Sequence, residues 1–230
     1  MTTTSETQDS VQNDLKIPNS IFGFRTGSRI FMHLLSNFKV IGRENIPQPP
    51  FLATSNHLSY FDVPAVAASM TLTIPAFAAK KYRGTWMEPL FRMGGPVWIE
   101  QASPDRQALM TALKLLKKGS PFAIAPEGHR SRTGTLMEAK EGVAFIATRA
   151  NVPIVPWVMW GTEKIFKHPR PQVRVRIGKP YRLPEGRAKG DMLKEYTDRI
   201  MCAIAALLPE QYHGVYKGHP LIEEMAAIVR

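Results

Sequence analysis

Short apolar runs alternate with amphipathic stretches along most of the chain. Apolar runs bounded by Gly, Pro or polar residues are typical of buried strands, and apolar residues three or four apart are typical of helices. This pattern predicts an α/β fold: a single domain with a largely parallel mixed sheet flanked by helices. The predicted strands are 51–54, 76–79, 97–99, 122–125, 154–158 and 173–177, and the predicted helices are 59–70, 103–118, 141–150 and 191–208.

The first forty residues have a different character. Residues 1–15 are polar and acidic, which predicts a disordered tail. Residues 16–40 combine bulky apolar side chains with basic ones, which predicts an amphipathic helical segment at a membrane interface, with Arg25 and Arg29 on anionic lipid. The sequence equally allows a helix that packs on the protein's own core. The chain therefore divides into a tail (1–15), a helical segment (16–40), a main domain (41–208) and a C-terminal extension (209–230).

Charge narrows the class of partner. The 230 residues include 30 Lys and Arg but only 19 Asp and Glu, a formal net charge of +11. Such a balance favours nucleic acid, an anionic membrane, or a phosphorylated or acidic substrate; the alternative is a basic surface that only keeps the protein soluble. The single cysteine, Cys202, excludes an intramolecular disulfide framework and a multi-cysteine metal site. With no long apolar run and no secretory signal, we expect no conventional membrane span and a location on the cytoplasmic side.

The first candidate site follows the predicted strand 51–54. His57 and Asp62 lie five residues apart, so on one helix they would point about 140° apart. They can meet if Ser59 is the helix N-cap, because His57 then lies in the preceding loop and Asp62 in the first turn. His57 would be a base that Asp62 orients. The alternative is a capping aspartate beside an ordinary loop histidine.

The second candidate site is the segment PEGHRSRTG, residues 126–134, which follows the predicted strand 122–125. Gly128 lets a ligand approach the backbone, Ser131 offers a hydroxyl, and Arg130 offers a bidentate fork. Together these groups suit a phosphate at the carboxyl end of a strand. The alternative is a solvated basic turn.

In their order along the chain, these segments resemble the glycerolipid acyltransferase family, whose best-known bacterial members are the 1-acylglycerol-3-phosphate acyltransferases. The resemblance covers about residues 38–208. The family block N-H-x-S-x-x-D is matched by Asn56, His57, Ser59 and Asp62; the block P-E-G-T-R-S by Pro126, Glu127, Gly128, Arg130 and Ser131; and V-P-[IV]-x-P by residues 152–156. A further block is matched less well: Gln101 stands where the family has an arginine of its acceptor-phosphate site.

The resemblance implies an enzyme that moves a fatty acyl group from an acyl thioester to the free hydroxyl of 1-acylglycerol-3-phosphate, giving phosphatidic acid in phospholipid synthesis. The donor would be acyl-CoA or acyl-acyl carrier protein, with no cofactor and no metal. The enzyme would sit on the cytoplasmic face of the cell membrane as a peripheral or monotopic protein, on an anionic surface, and would bind no nucleic acid. The implied catalytic residues are His57 and Asp62, and the implied substrate-binding residues are Lys80, Glu127, Gly128, Arg130 and Ser131.

Three alternatives stay open. Because of Gln101, the acceptor could be another lyso-lipid, an amino-lipid or a glycolipid. A nucleic-acid-binding module would explain the charge but neither of the two segments that follow strands. A metal hydrolase built on His57, Asp62 and His129 would need a further converging ligand, and no residue spacing supplies one.

Overall fold

The structure, a computed structural model, describes residues 20–85, 88–100, 105–184 and 186–230. The predicted tail 1–15 and Gln101 lie outside these ranges. The helices are α1 (Ser20–Leu35), α2 (Asp62–Ser69), α3 (Glu88–Arg92), α4 (Arg106–Lys117), α5 (Gly142–Ala150), α6 (Asp191–Leu207) and α7 (Leu221–Val229). The strands are β1 (Asn37–Ile41), β2 (Leu52–Thr54), β3 (Phe77–Ala79), β4 (Val97–Ile99), β5 (Phe122–Ile124), β6 (Ile154–Trp160) and β7 (Gln172–Ile177).

A five-stranded sheet in the order β1-β7-β6-β2-β5 forms the centre of the molecule. Its neighbouring strands are parallel except β6 and β7, which are antiparallel. Strands β3 and β4 form a second parallel pair, joined to β5 by a bridge between Ala76 and Ala123. The predicted α/β domain with a largely parallel mixed sheet is confirmed. Because β2, β5 and β6 run in one direction, the loops that follow them emerge at one edge.

Alternate residues of the strands enter two apolar clusters, one on each face of the sheet. In β2, Leu52 belongs to a cluster with α4, α5 and α6, whereas Ala53 belongs to a cluster with Met32 of α1. The predicted C-terminal extension is part of the first cluster, since Met225 and Val229 of α7 are almost fully buried there. The extension therefore belongs to the core of the one domain.

Residues 16–19 of the predicted helical segment 16–40 lie outside the described residues, and in the described part the helix ends before residue 40. Helix α1 ends at Leu35, and both the backbone N–H and the hydroxyl of Ser36 donate to the carbonyl of Met32, which closes the last turn. Residues 37–41 form strand β1 instead, with Phe38 buried, because this edge of the sheet pairs in parallel with β7. The sheet thus begins four residues before the predicted boundary at residue 41.

Two predicted helix starts also move. Helix α2 begins at Asp62 and not at Ser59, because Ser59 and the two residues after it form a turn. Helix α4 is capped by Asp105, whose carboxylate accepts the backbone N–H of Ala108 at 2.9 Å. The predicted start of this helix, residue 103, lies outside the described residues.

Three arginines hold α1 and the turn after β1 against the C-terminal end of α2. Arg25 and Arg29 donate to the carbonyl of Met70, and Arg29 and Arg43 donate to the carbonyl of Ala68. Carbonyls at a helix C-terminus lack intrahelical donors and carry the negative end of the helix dipole. Burial, and then the neighbouring cations, lower the pKa of Arg25 and of Arg43.

These contacts correct the expectation that Arg25 and Arg29 face lipid. One face of α1 packs on the protein, with Met32 fully buried in the core, as the core-packing alternative requires. The opposite face still exposes Ile30 and Leu34. None of the helices in the described part of the chain combines the length and the apolar character that a membrane crossing needs.

We expect Arg29→Met to lower the free energy of unfolding by about 1–2 kcal/mol, because it removes charge-assisted hydrogen bonds to the end of α2. The matched control is Lys39→Met, which removes a positive charge from an exposed position on β1 and should change stability little. Urea unfolding of both variants measures the difference. Equal stability of the two variants would contradict the capping role.

Candidate active site

The site is organised around one buried carboxylate, that of Asp62, at the start of α2. Its Oδ2 lies 2.7 Å from Nδ1 of His57 and accepts the backbone N–H groups of Leu58 at 2.6 Å and Ser59 at 2.8 Å. Its Oδ1 accepts the hydroxyl of Thr162 at 2.5 Å. The predicted contact is confirmed: His57 lies in the loop before the helix and meets Asp62 in its first turn.

This contact determines what the His57 ring can do. The carboxylate holds the proton on Nδ1, so Nε2 is the nitrogen that can take up another proton. The side chain is 29% exposed, whereas that of Asp62 is 5% exposed. His57 can therefore reach a substrate while its orienting partner is kept from water.

Ser59 and Asn56 build the loop that presents His57. The hydroxyl of Ser59 accepts the N–H of Phe61 at 2.9 Å and, with the Asp62 contact to the Ser59 N–H, closes the turn that precedes α2. Ser59 is not the helix N-cap that the sequence predicted, because α2 begins at Asp62. The buried amide of Asn56 donates to the carbonyl of Met159 and accepts its N–H, at 2.7 and 2.9 Å. The side chain of Asn56 thus continues the pairing of β2 with β6 beyond the last residue of the strand.

The second segment holds the backbone of His57 on both sides. Oε1 of Glu127 accepts the His57 N–H at 3.1 Å, and the N–H of Ser131 donates to the His57 carbonyl at 2.7 Å. Oε2 of Glu127 accepts the N–H of Met137. The two segments that the sequence singled out therefore form one site.

Glu127 is itself almost fully buried, close to Asp62. Burial raises the pKa of the Glu127 carboxyl to about 7, opposed by the two backbone N–H donors and reinforced by the charge of Asp62. Both oxygens of Glu127 bind backbone groups of the protein. This geometry gives Glu127 a positioning role, and its contact with substrate stays a prediction.

Arg130 lies at the rim of the site between two tyrosines. Its guanidinium carbon stacks 3.6 Å from the centroid of the Tyr60 ring. Tyr82 lies close enough to Tyr60 and Arg130 to interact with both: burial raises the pKa of Tyr82, the interaction with Tyr60 adds to the rise, and the interaction with Arg130 opposes it. A guanidinium stacked by its face presents its N–H edge, which is the part that binds an anion.

The other predicted substrate-binding residues are occupied within the protein. The backbone N–H of Gly128 donates to the carbonyl of Ala125, and a side chain at this position, where φ is +74°, would meet Lys140 at 3.0 Å. The hydroxyl of Ser131 donates to the carbonyl of Thr135 at 2.6 Å. The ammonium of Lys80 lies 3.9 Å from the Glu100 carboxylate. Direct contact of these groups with substrate stays a prediction.

Three residues near the site were not predicted from the sequence: Thr162, Tyr60 and Tyr82. Thr162 is fully buried in the 3₁₀ turn that follows β6, one hundred residues from Asp62. The sequence feature that could have identified Thr162 is its position directly after the apolar run 154–160 and Gly161. The two candidate segments likewise follow strands, β2 and β5. The tyrosines carried no comparable signal, since their role depends on the position of Arg130.

His129, the histidine of the second segment, is not part of the contact between His57 and Asp62. Nδ1 of His129 contacts the carbonyl of Arg130 on the exposed side of the loop. Within the described ranges, no group of three or more His, Cys, Asp or Glu side chains is placed to hold a metal ion.

Comparison with known proteins agrees with this geometry. The family model described as Acyltransferase matches residues 37–160. The 1-acyl-sn-glycerol-3-phosphate acyltransferase of Bacillus subtilis is 25% identical over 158 residues, which cover 66% of this chain and 77% of that protein. The chloroplastic 1-acyl-sn-glycerol-3-phosphate acyltransferase BAT2 of Brassica napus is 31% identical over 133 residues, covering 54% of this chain but only 38% of that longer protein.

A solved structure shares the fold. The crystal structure of the 1-acyl-sn-glycerophosphate acyltransferase PlsC from Thermotoga maritima superposes with a TM-score of 0.63 and 26% sequence identity, covering 78% of this chain and 76% of that one. The family model spans more than half of the chain and contains both His57 and Asp62. The chain belongs to the acyltransferase family, within the glycerolipid branch that its relatives define.

We expect the stability of the protein to fall as the pH rises from about 5 to about 8, through a contribution that Glu127→Gln lacks. A carboxyl whose pKa is raised from 4.5 to about 7 on folding contributes most at low pH, and this contribution is lost as the pH rises through about 7. Thermal unfolding at several pH values gives the slope.

The control is Glu138→Gln, an exposed glutamate on the same loop, which should keep the wild-type slope. Identical pH dependence of the wild-type protein and Glu127→Gln would contradict the raised pKa.

Proposed function

We propose that this chain transfers a fatty acyl group from an acyl thioester to the free hydroxyl of 1-acylglycerol-3-phosphate, forming phosphatidic acid. The observation that carries the proposal is the His57–Asp62 pair, whose Nδ1 to Oδ2 distance is 2.7 Å and whose backbone is fixed by the segment containing Arg130. A base in the same site as an arginine whose guanidinium could bind a phosphate suits a phosphorylated alcohol. The named activity of the relatives supports the same substrate.

In the first step, Nε2 of His57 takes the proton of the acceptor hydroxyl as its oxygen attacks the thioester carbonyl. Asp62 holds the Nδ1 proton and stabilises the imidazolium that forms. The hydroxyl of Thr162 and the two backbone N–H donors keep the carboxylate in place. The ring therefore needs no reorientation during proton transfer.

In the second step, the tetrahedral intermediate collapses, the carbon–sulfur bond breaks, and the leaving thiolate takes the proton from His57. The geometry favours this direct transfer over an acyl-enzyme. The Ser59 hydroxyl is buried and donates to the carbonyl of Thr162, and the buried Cys202 has its pKa raised to about 12 by desolvation. Neither group is a suitable nucleophile.

The acceptor phosphate is assigned to Arg130. Its guanidinium is oriented by Tyr60 and Tyr82 and lies in the loop whose Ser131 N–H holds His57. Fixing the phosphate there would place the acceptor hydroxyl near Nε2 of His57. Such positioning can lower the activation free energy by several kcal/mol, up to about 10 kcal/mol. Lys80 and Gly128 would complete the phosphate site.

The donor would be acyl-CoA or acyl-acyl carrier protein, without cofactor or metal. The enzyme would work on the cytoplasmic face of an anionic membrane as a peripheral or monotopic protein, because its acceptor and product are lipids. Mass spectrometry of the products, with both donors and a panel of lyso-lipid, amino-lipid and glycolipid acceptors, tests the assignment. Acylation of an acceptor without phosphate in preference to 1-acylglycerol-3-phosphate would overturn it.

We expect His57→Ala to lower kcat by a factor of about 10² to 10⁴ and to leave the melting temperature near that of the wild type, since the variant removes a base but little core. Asp62→Asn should lose most activity and also some stability, because the four hydrogen bonds to the carboxylate are disturbed. The matched control is His129→Ala, an exposed histidine in the second segment. Near-normal turnover by His57→Ala would refute the mechanism.

We expect Arg130→Ala to raise the acceptor KM at least about tenfold, and Arg130→Lys to restore it only in part, because lysine lacks the planar fork. Arg132→Ala, two residues further along the exposed loop, is the control and should change KM little. Steady-state kinetics with 1-acylglycerol-3-phosphate and with 1-acylglycerol separate the roles. An equal loss on the acceptor without phosphate would assign Arg130 to structure and not to phosphate binding.

A further inference from the structure

Three phenylalanines from separate parts of the chain meet on the surface beside the site. Phe31 of α1 stacks on Phe61, which precedes α2, with ring centroids 6.2 Å apart. Phe61 packs against the edge of Phe166, in the turn after β6, at 5.5 Å. With Ile30 and Leu34 of α1, these residues form what we call the aromatic patch.

The aromatic patch is unusually exposed for its composition. Phe166 is 73% exposed, Leu34 71% and Ile30 57%. Isolated exposed apolar residues are common, but contiguous ones mark a surface that another apolar phase or molecule covers. The patch combines a helix face with the tip of a turn, so it projects apolar groups from two directions.

The backbone of Phe166 is held in a conformation that its side chain disfavours. Its φ is +65°, in the left-handed region that bulky residues rarely adopt. Neighbouring residues fix this turn: Ile165 is buried, and the N–H groups of Lys167 and His168 donate to the carbonyl of Lys164. The turn therefore directs a large apolar ring into solvent where glycine or asparagine would be accommodated more easily.

The charge around Phe166 identifies the partner. Lys164, Lys167, His168 and Arg170 lie within four residues of it. The acid of the same turn, Glu163, faces away from the surface and accepts the hydroxyl of Tyr212 at 2.9 Å. An exposed ring between basic side chains matches the interface of an anionic bilayer, where the ring enters the acyl boundary and the cations meet the headgroups.

We propose that the turn 164–170, together with the aromatic patch, is the surface that docks this protein on an anionic lipid bilayer. The inference rests on the proposed function, in which acceptor and product are lipids. It moves the electrostatic contact from α1, whose Arg25 and Arg29 face the protein, to the turn after β6. Docking there would also orient the site toward the bilayer, because Phe61 directly precedes Asp62 and Thr162 lies two residues before the turn 164–170.

The test is co-sedimentation of the full chain with vesicles of phosphatidylcholine alone or mixed with phosphatidylglycerol, in the absence of donor and acceptor. Phe166→Ser should lower partitioning onto the mixed vesicles about tenfold, because one buried ring is lost from the bilayer. Phe166→Gly should lose binding equally while it relieves the left-handed backbone, so its melting temperature should not fall. Lys167→Gln should weaken binding about fivefold on the mixed vesicles alone.

The matched control is Val215→Ser, an apolar residue of similar exposure on the C-terminal extension, which should bind as the wild type does. Wild-type binding by both Phe166 variants, or an equal loss in Val215→Ser, would overturn the proposal. So would absence of vesicle binding by the wild type, the result expected if an acidic protein were the partner. Vesicle binding through Phe166 by a chain that fails to acylate 1-acylglycerol-3-phosphate would overturn the proposed function and leave the docking surface standing.

Discussion

A carboxylate removed from water must have hydrogen-bond donors for both its oxygens, because the uncompensated burial of a charge is far more costly than any single contact can offset. Asp62 meets this requirement with donors from two distant parts of the chain. His57, Leu58 and Ser59 come from the loop after β2, and Thr162 from the turn after β6. The adjacency of β2 and β6 in the sheet is therefore a condition for the contact between His57 and Asp62, and the amide of Asn56 extends that adjacency into the loop.

A second buried carboxylate, Glu127, brings the loop after β5 into the same arrangement. The contact of Glu127 with the His57 N–H, and that of the Ser131 N–H with the His57 carbonyl, fix the backbone of His57 from one side, while Asp62 fixes its ring from the other. Two carboxylates buried close together oppose each other's ionisation, and this is part of why the pKa of Glu127 rises to about 7. The buried Glu127 that orients His57 therefore lowers the stability of the protein near neutral pH, where its carboxyl ionises.

Local sequence pattern predicted those features that depend on neighbours along the chain. Strands β2 to β7, most helices and the meeting of His57 with Asp62 all follow from short-range spacing, because alternation and the turns before helices depend on a few neighbouring residues. The contribution of Thr162 could not be predicted, since it reaches Asp62 across one hundred residues and only the strand order brings them together. Strand β1 was missed because its alternation of Phe38 and Lys39 continues the amphipathic pattern of α1 without a break in composition.

The orientation of the arginines shows why net charge alone could not identify the class of partner. Arg25, Arg29 and Arg43 donate to carbonyls at the end of α2, and Arg176 and Arg230 donate to carbonyls at the end of α6. Part of the +11 charge therefore neutralises helix dipoles within the fold and is not presented to any acidic ligand. The acidic ligands that the protein can bind therefore depend on where the remaining cations lie, those that do not contact helix ends. Those around Phe166 flank an exposed ring, and Arg130 stacks on Tyr60 at the rim of the site, so in the function that we propose the same cationic chemistry would serve the bilayer at one place and a single phosphate at the other.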